Sequence, residues 1–193
     1  MRRVAAEVGV STMSLYRHVA DKDDLLLQMM DTTLGEWPFP AQAPDGWRAR
    51  LELAARMLWT AFRRPPWLAP ALSVNRPQPV PNALPYIEWV RTALDGLGLT
   101  SADMLTTHIT LFNYVRGTAA NIELEMEAEA TTGMNREEWL DTQESTLRSI
   151  LDAGHFPLFE RMETTDYTVD LDELFEFGLQ RLLDGLVVLI ASG

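Results

Sequence analysis

The stretch DLDELFEFGLQRLLDGLVVLIAS, residues 170–192, restricts the fold more than any other part of the chain. As a helix it carries Leu171, Leu174, Phe175, Phe177, Leu179, Leu182, Leu183, Leu186, Val187 and Ile190, apolar side chains pointing almost all round. A helix with one apolar stripe serves a single core, whereas one apolar on several faces has to be covered on more than one. Two arrangements meet that demand: a central core helix within a monomer, or a helix that meets its own copy in a second chain. The second predicts a two-fold four-helix interface with the later part of a helix over 101–130. Gly178 and Gly185, seven apart, lie nearly on one face and permit close helix approach. Phe175, Gly178, Leu179, Leu182, Leu186 and Ile190 are the expected homodimer residues.

The remainder also reads as helix. RRVAAEVG is stopped by Gly9, Ser11 or Thr12 caps a short helix to about His18, and Asp21 caps a third from Lys22 to about Gly35. EWPFPAQAPDG breaks the pattern with three prolines and is the expected head–body junction, giving domains 1–36 and 37–193. Asp45 is expected to cap a helix to about Arg64, and Asn82 the one that follows the Pro-rich NRPQPVPN. Ser101 begins a long helix to about Ala130. Asn135 with Glu138, and Asp170 with Glu173, have capping-box spacing for the last two. NIELEMEAEA alternates with the period of a strand, but its residues are strong helix formers, and it is assigned to helix. The glutamates at 123, 125, 127 and 129 then face away from one another and form a solvated acidic surface, not a metal cluster. The expected class is all-α.

Composition narrows the function. With no cysteine, disulfides, thiol catalysis and Cys-based zinc sites are excluded. No run of about 18 apolar residues and no leader pattern occur, so a cytoplasmic protein without membrane association is expected. The net charge of −12 is unevenly spread: residues 1–22 hold four basic and two acidic side chains, the rest twelve and twenty-six. A basic head on an acidic body meets phosphate locally while the body repels DNA.

That head has the form of a helix-turn-helix: two short helices around a Gly-containing turn, with Val4, Ala5, Val8, Val10, Leu15 and Val19 as buried contacts. A surface hairpin that binds nothing has the same pattern. The stretch VAAEVGVSTMSLYRHVADKDDLL resembles the signature of the tetracycline-repressor (TetR) family, with Leu15, Tyr16, His18, Lys22 and Leu25 in the family's order. RRPPWLAPALS, NYVRG and FEFGLQRLLDGL are similar to the C-terminal domain of the branch nearest the tetracycline repressor. The resemblance implies base contacts from Thr12, Met13 and Ser14, a base or backbone contact from Arg2, and phosphate clamping by Tyr16, His18 and Lys22. The partner it implies is double-stranded DNA with a near-palindromic operator, read by two recognition helices about 34–36 Å apart. Family members place a further helix and a basic arm ahead of the one beginning at Arg2. Val4, Val8 and Leu15 are therefore expected to lose apolar cover, and DNA binding by this chain as written to be weakened.

The body is rich in aromatics. The resemblance implies that three helices contributing Trp59, Phe62, Trp89, His108 and Phe112 wall an effector pocket, with Asn113 and Arg116 as further polar groups. Such a cavity suits a small, largely apolar effector. His108 without a carboxylate partner reads as a hydrogen-bonding group, so no metal and no cofactor are expected. With three histidines and no Ser/His/Asp or Gly-rich phosphate motif, the chain is not read as an enzyme. The expected function is a ligand-responsive transcriptional regulator, a repressor released from its operator by the effector. The alternative is a dimeric helical small-molecule-binding protein without DNA-binding activity.

Overall fold

The computed structural model describes residues 1–157, 159 and 169–191, and among these every α-helix follows the order α1 (Arg2–Glu7), α2 (Thr12–Leu15), α3 (Lys22–Gly35), α4 (Trp47–Arg63), α5 (Leu68–Ala71), α6 (Leu84–Leu94), α7 (Ser101–Thr132), α8 (Arg136–Ala153) and α9 (Leu171–Ala191). No strand occurs among them. NIELEMEAEA lies within α7. Most of the loop expected between α8 and α9 lies outside the described residues.

The helix ends follow the local chemistry. Gly9 turns at φ +71° after α1, where a side chain is disfavoured. Ser11 accepts from the Ser14 amide at 3.0 Å and Asp21 from that of Asp24 at 2.8 Å. Thr100 with Asp103 and Asn135 with Glu138 form complete capping boxes, and the Asp170 carboxylate accepts from the amides of Asp172 and Glu173. Three boundaries differ from the sequence reading. α2 ends at Leu15, because Arg17 and His18 donate to carbonyls three residues back and the chain tightens. Asp45 does not cap α4; Gly46 holds the N-cap position at φ +79°. Asn82 does not cap α6 either. It sits in a 3-10 turn (Pro81–Ala83), its backbone N–H on the Asp31 carboxylate at 2.7 Å and its side-chain amide on the Asp31 carbonyl at 3.0 Å.

α4 is the centre of the body, packed against α6, α7 and α9. Leu51, Ala54, Ala55 and Phe62 are fully enclosed, and the alanines let neighbouring helices approach. The head encloses much less. Among residues 1–22 only Ala5 and Val19 are buried and Leu15 is half-buried, while Val4, Val8 and Val10, expected as buried contacts, are exposed, because helices of six and four residues have little inner surface.

α9 places part of the expected dimer face inside the chain. Phe175 and Leu179 are buried in the chain's own core, Phe175 stacked on Trp59 with centroids 4.6 Å apart. Gly178 is close-packed inside the chain too: a Cβ there would come within 2.2 Å of the Tyr114 hydroxyl, which reaches the carbonyls of Leu174 and Phe175. Leu182, Leu186 and Ile190 are half-buried, and Leu186 packs on the core. Exposed apolar side chains on the adjoining flank are Leu174, Phe177 and Val188, with Gly185 open between them; Val187 and Leu189 are exposed as well. Gly178→Ala is expected to cost about 1–3 kcal/mol by overpacking, read as a lower denaturation midpoint in urea.

Candidate functional site

A cavity of about 630 Å³ opens beside α4. Its floor is Met57, Leu58 and Ala61 of α4, and Leu105, His108, Ile109 and Phe112 of α7 form one side. The start of α6 supplies Pro85, Tyr86 and Ile87. The remaining wall comes from the end of α3 (Leu34, Gly35), from Trp37, Pro38 and Phe39, and from the stretch between Ala71 and Ala83. None of the lining residues is Asp, Glu, Lys or Arg. A largely apolar hollow of this size with a few polar groups is the ordinary form of a small-molecule site.

The polar groups in the wall carry little charge. Burial, with the positive charge of Arg91 second, holds the His108 imidazole below its usual 6.5. Burial raises the Tyr86 phenol. The two rings meet edge to face at 5.6 Å. Trp37 Nε1, Tyr86 Oη and His108 Nδ1 are buried and have no hydrogen-bond partner among the described residues.

Of the residues expected to bind an effector, His108 and Phe112 are in the wall and the others lie behind or away from it. Trp59 faces α9, donating to Asp172 at 2.8 Å. Phe62 is fully buried with its ring edge on Phe112. Trp89 stacks on Phe39 and donates to the Arg50 carbonyl at 2.9 Å. Arg116 donates to the Leu72 carbonyl and to Asn113, which fixes both as supports of the wall. The rotations of α4 and α6 decide this: Met57, Leu58 and Ala61 point into the hollow where Trp59 does not. Trp37, Phe39 and Asn82 went unrecognised because they sit in Pro-rich segments that read as chain breaks. The aromatics beside those prolines were the available signal. Among the described residues no group of three His, Asp or Glu side chains is gathered as a metal site requires, and no helix is long and apolar enough to cross a membrane.

In the head, Arg2, Met13, Tyr16, His18 and Lys22 are exposed, and Thr12 and Ser14 are partly so. α3 is anchored to this unit at its start. The Ala20 amide donates to the Asp24 carboxylate at 2.7 Å and Gln28 donates to the His18 carbonyl at 3.4 Å.

A helix-turn-helix unit joined by one helix to an all-α body with an internal apolar cavity is the architecture of a ligand-responsive transcriptional regulator. Residues 39–190 match the family model described as tetracyclin repressor-like, C-terminal domain. The whole chain is 41% identical over 195 residues to the HTH-type transcriptional repressor DrrR1 of Streptomyces coeruleorubidus, covering 71% of that protein. It is 34% identical over 158 residues, 81% of its own length and 66% of the relative's, to an HTH-type transcriptional regulator of Saccharopolyspora erythraea. Its structure superposes on ActR of Streptomyces coelicolor in complex with actinorhodin with a TM-score of 0.73 and 27% identity, over 97% of this chain and 86% of that one. The chain belongs to the tetracycline-repressor family of DNA-binding transcriptional regulators, which are not enzymes.

The lowered His108 value has a stability consequence. Below about 6.5 the unfolded chain takes up a proton that the folded imidazole resists, so stability is complete above that pH and is lost as pH falls from 6.5 toward the folded value. Urea midpoints are expected to fall between pH 7 and 5.5, and His108→Gln is expected to flatten that part of the profile.

Proposed function

We propose that this chain is a repressor that holds a near-palindromic operator as a homodimer and releases it when a small, largely apolar aromatic molecule fills the cavity. The observation that carries this reading is that the cavity wall includes the end of α3, the helix that joins head to body: Leu34 and Gly35 line the hollow. Asn82, also in the wall, is bonded twice to Asp31 one turn earlier on α3. A ligand that displaces the 3-10 turn therefore moves the same helix that carries the recognition unit. A coupling of about 1–3 kcal/mol corresponds to roughly 5–150-fold weaker operator binding. The named repressor relative and the actinorhodin complex of ActR support repression and ligand response.

On the DNA side, Thr12, Met13 and Ser14 are assigned to bases, Arg2 to a base or the backbone, and Tyr16, His18 and Lys22 to phosphates. Met13 offers only an apolar contact, suited to a thymine methyl. Residues 1–36 form the DNA-binding unit and 37–193 the effector and dimerisation unit, acting in the cytoplasm. The dimer contact is assigned to the exposed flank of α9 at Leu174, Phe177 and Val188, where Gly185 lets the partner helix come close.

Two measurements test this. An electrophoretic shift with the chain's own upstream DNA is expected to be reversed by an effector, and Asn82→Ala is expected to keep DNA binding while losing most of that reversal. A double variant Phe177→Glu, Val188→Glu is expected to sediment as a folded monomer with operator affinity down at least about 100-fold, since one head then contacts one half-site. Wild-type sedimentation as a monomer at micromolar concentration would overturn the dimer.

A further inference from the structure

The buried side-chain nitrogen and oxygen atoms without a hydrogen-bond partner among the described residues belong to Trp37, Tyr86, His108 and Arg116, and three of those four residues line the cavity. An unpaired buried donor or acceptor is costly, and folded chains keep few of them. Three around one hollow form a pattern of hydrogen-bonding positions that the protein's own side chains leave open.

We propose that Trp37, Tyr86 and His108 are the specificity-determining anchors of the cavity, and that they select an uncharged aromatic ligand bearing both hydroxyl and carbonyl oxygens. The proposal rests on the reading of the cavity as an effector site. Trp37 supplies only a donor and so requires an acceptor such as a carbonyl oxygen. Tyr86 both donates and accepts. A neutral His108 does one or the other at Nδ1, and a ligand with hydroxyl and carbonyl groups satisfies either tautomer. The wall offers no ionised side chain to offset the desolvation of a charged ligand. The aromatic requirement comes from Phe39, Phe112 and the anchors' own rings, which present flat apolar faces. The anchors are also held in place. The Arg64 guanidinium lies 5.2 Å from the Trp37 ring centroid, and Tyr86 and His108 brace each other. Recognition therefore needs little reordering.

The test is calorimetric titration of the full chain with three probes: the dihydroxyanthraquinone chrysazin, unsubstituted anthraquinone, and anthraquinone sulfonate. Chrysazin is expected to bind at least tenfold more tightly than either of the others. Tyr86→Phe and Trp37→Phe are each expected to weaken chrysazin about 3- to 10-fold. Tyr86→Phe is expected to change anthraquinone less, because that probe has no hydroxyl to donate to Tyr86, whereas Trp37→Phe is expected to weaken anthraquinone too, because its carbonyls remain. His108→Asn, which keeps a polar atom near the position of Nδ1, is expected to retain more chrysazin affinity than His108→Phe. Tyr86→Phe removes one atom without changing shape, so it carries the test even if Trp37→Phe disturbs its loop. Equal losses for chrysazin and anthraquinone on Tyr86→Phe, chrysazin affinity unchanged by the variants, or tight sulfonate binding would overturn the anchor assignment while leaving the cavity as a ligand site. Binding of none of the three would overturn the effector-site reading, and the anchors with it.

Discussion

The burial of α4 is the constraint on which the rest of the body depends. Its alanines at 54 and 55 and its enclosed Leu51 and Phe62 set how near α6, α7 and α9 can lie. On the side facing α9 it is filled, with the Trp59–Phe175 stack inside and ion pairs from Arg56 to Glu176 and Arg48 to Asp184 at the margin. Those pairs are half-exposed and fix the relative position of the helices more than they add stability. On the opposite side, Met57, Leu58 and Ala61 leave a hollow. One helix thus separates two requirements that usually conflict, a packed interior for stability and an unfilled one for binding.

The chain's local chemistry was the most legible part of it. Capping residues such as Ser11, Asp21 and Asn135 announce helix starts because their side chains satisfy amides that the helix leaves unpaired. Helix rotation was less legible. Trp59 and Met57 are both large and apolar, and periodicity does not say which of them faces a neighbouring helix and which an empty space. The Pro-rich segments were misread for a related reason. Proline ends a helix, which is a statement about backbone hydrogen bonding, and says nothing of where the next side chains pack. Beside Pro38 and Pro40, Phe39 packs against the body's core and Trp37 lines the cavity. On α9, apolar residues on every side signalled two covered faces, but Tyr114 against Gly178 determined which flank was already occupied from within.

The contacts between cavity and head run without a gap. Asn82 lies in the wall and holds Asp31; Asp31 lies on α3; and α3 is fastened at its other end through Asp24 to Ala20 and Gln28 to His18. Gly35 belongs to the same arrangement, since a Cβ there would lie 2.8 Å from the Asn82 amide nitrogen. A helix fastened at both ends behaves as a rigid element, and a displacement at one end is carried to the other instead of being absorbed by a loop. This is a spatial continuity, and it becomes an energetic one only where the two ends have alternative arrangements.

Lys22 opens α3 and is the chain's one lysine among sixteen basic residues, the others being arginine. Arginine keeps its proton under all ordinary conditions and is a poor nucleophile, whereas a lysine amine reacts once deprotonated. Amine-directed chemistry on this protein's side chains is therefore confined to a single exposed position, at the head end of the connecting helix and far along it from Leu34 and Gly35. A dye attached there sits at the head end of the connecting helix and leaves the chemistry of the cavity intact, so the chain already carries one side-chain attachment point for optical measurement of the head's orientation.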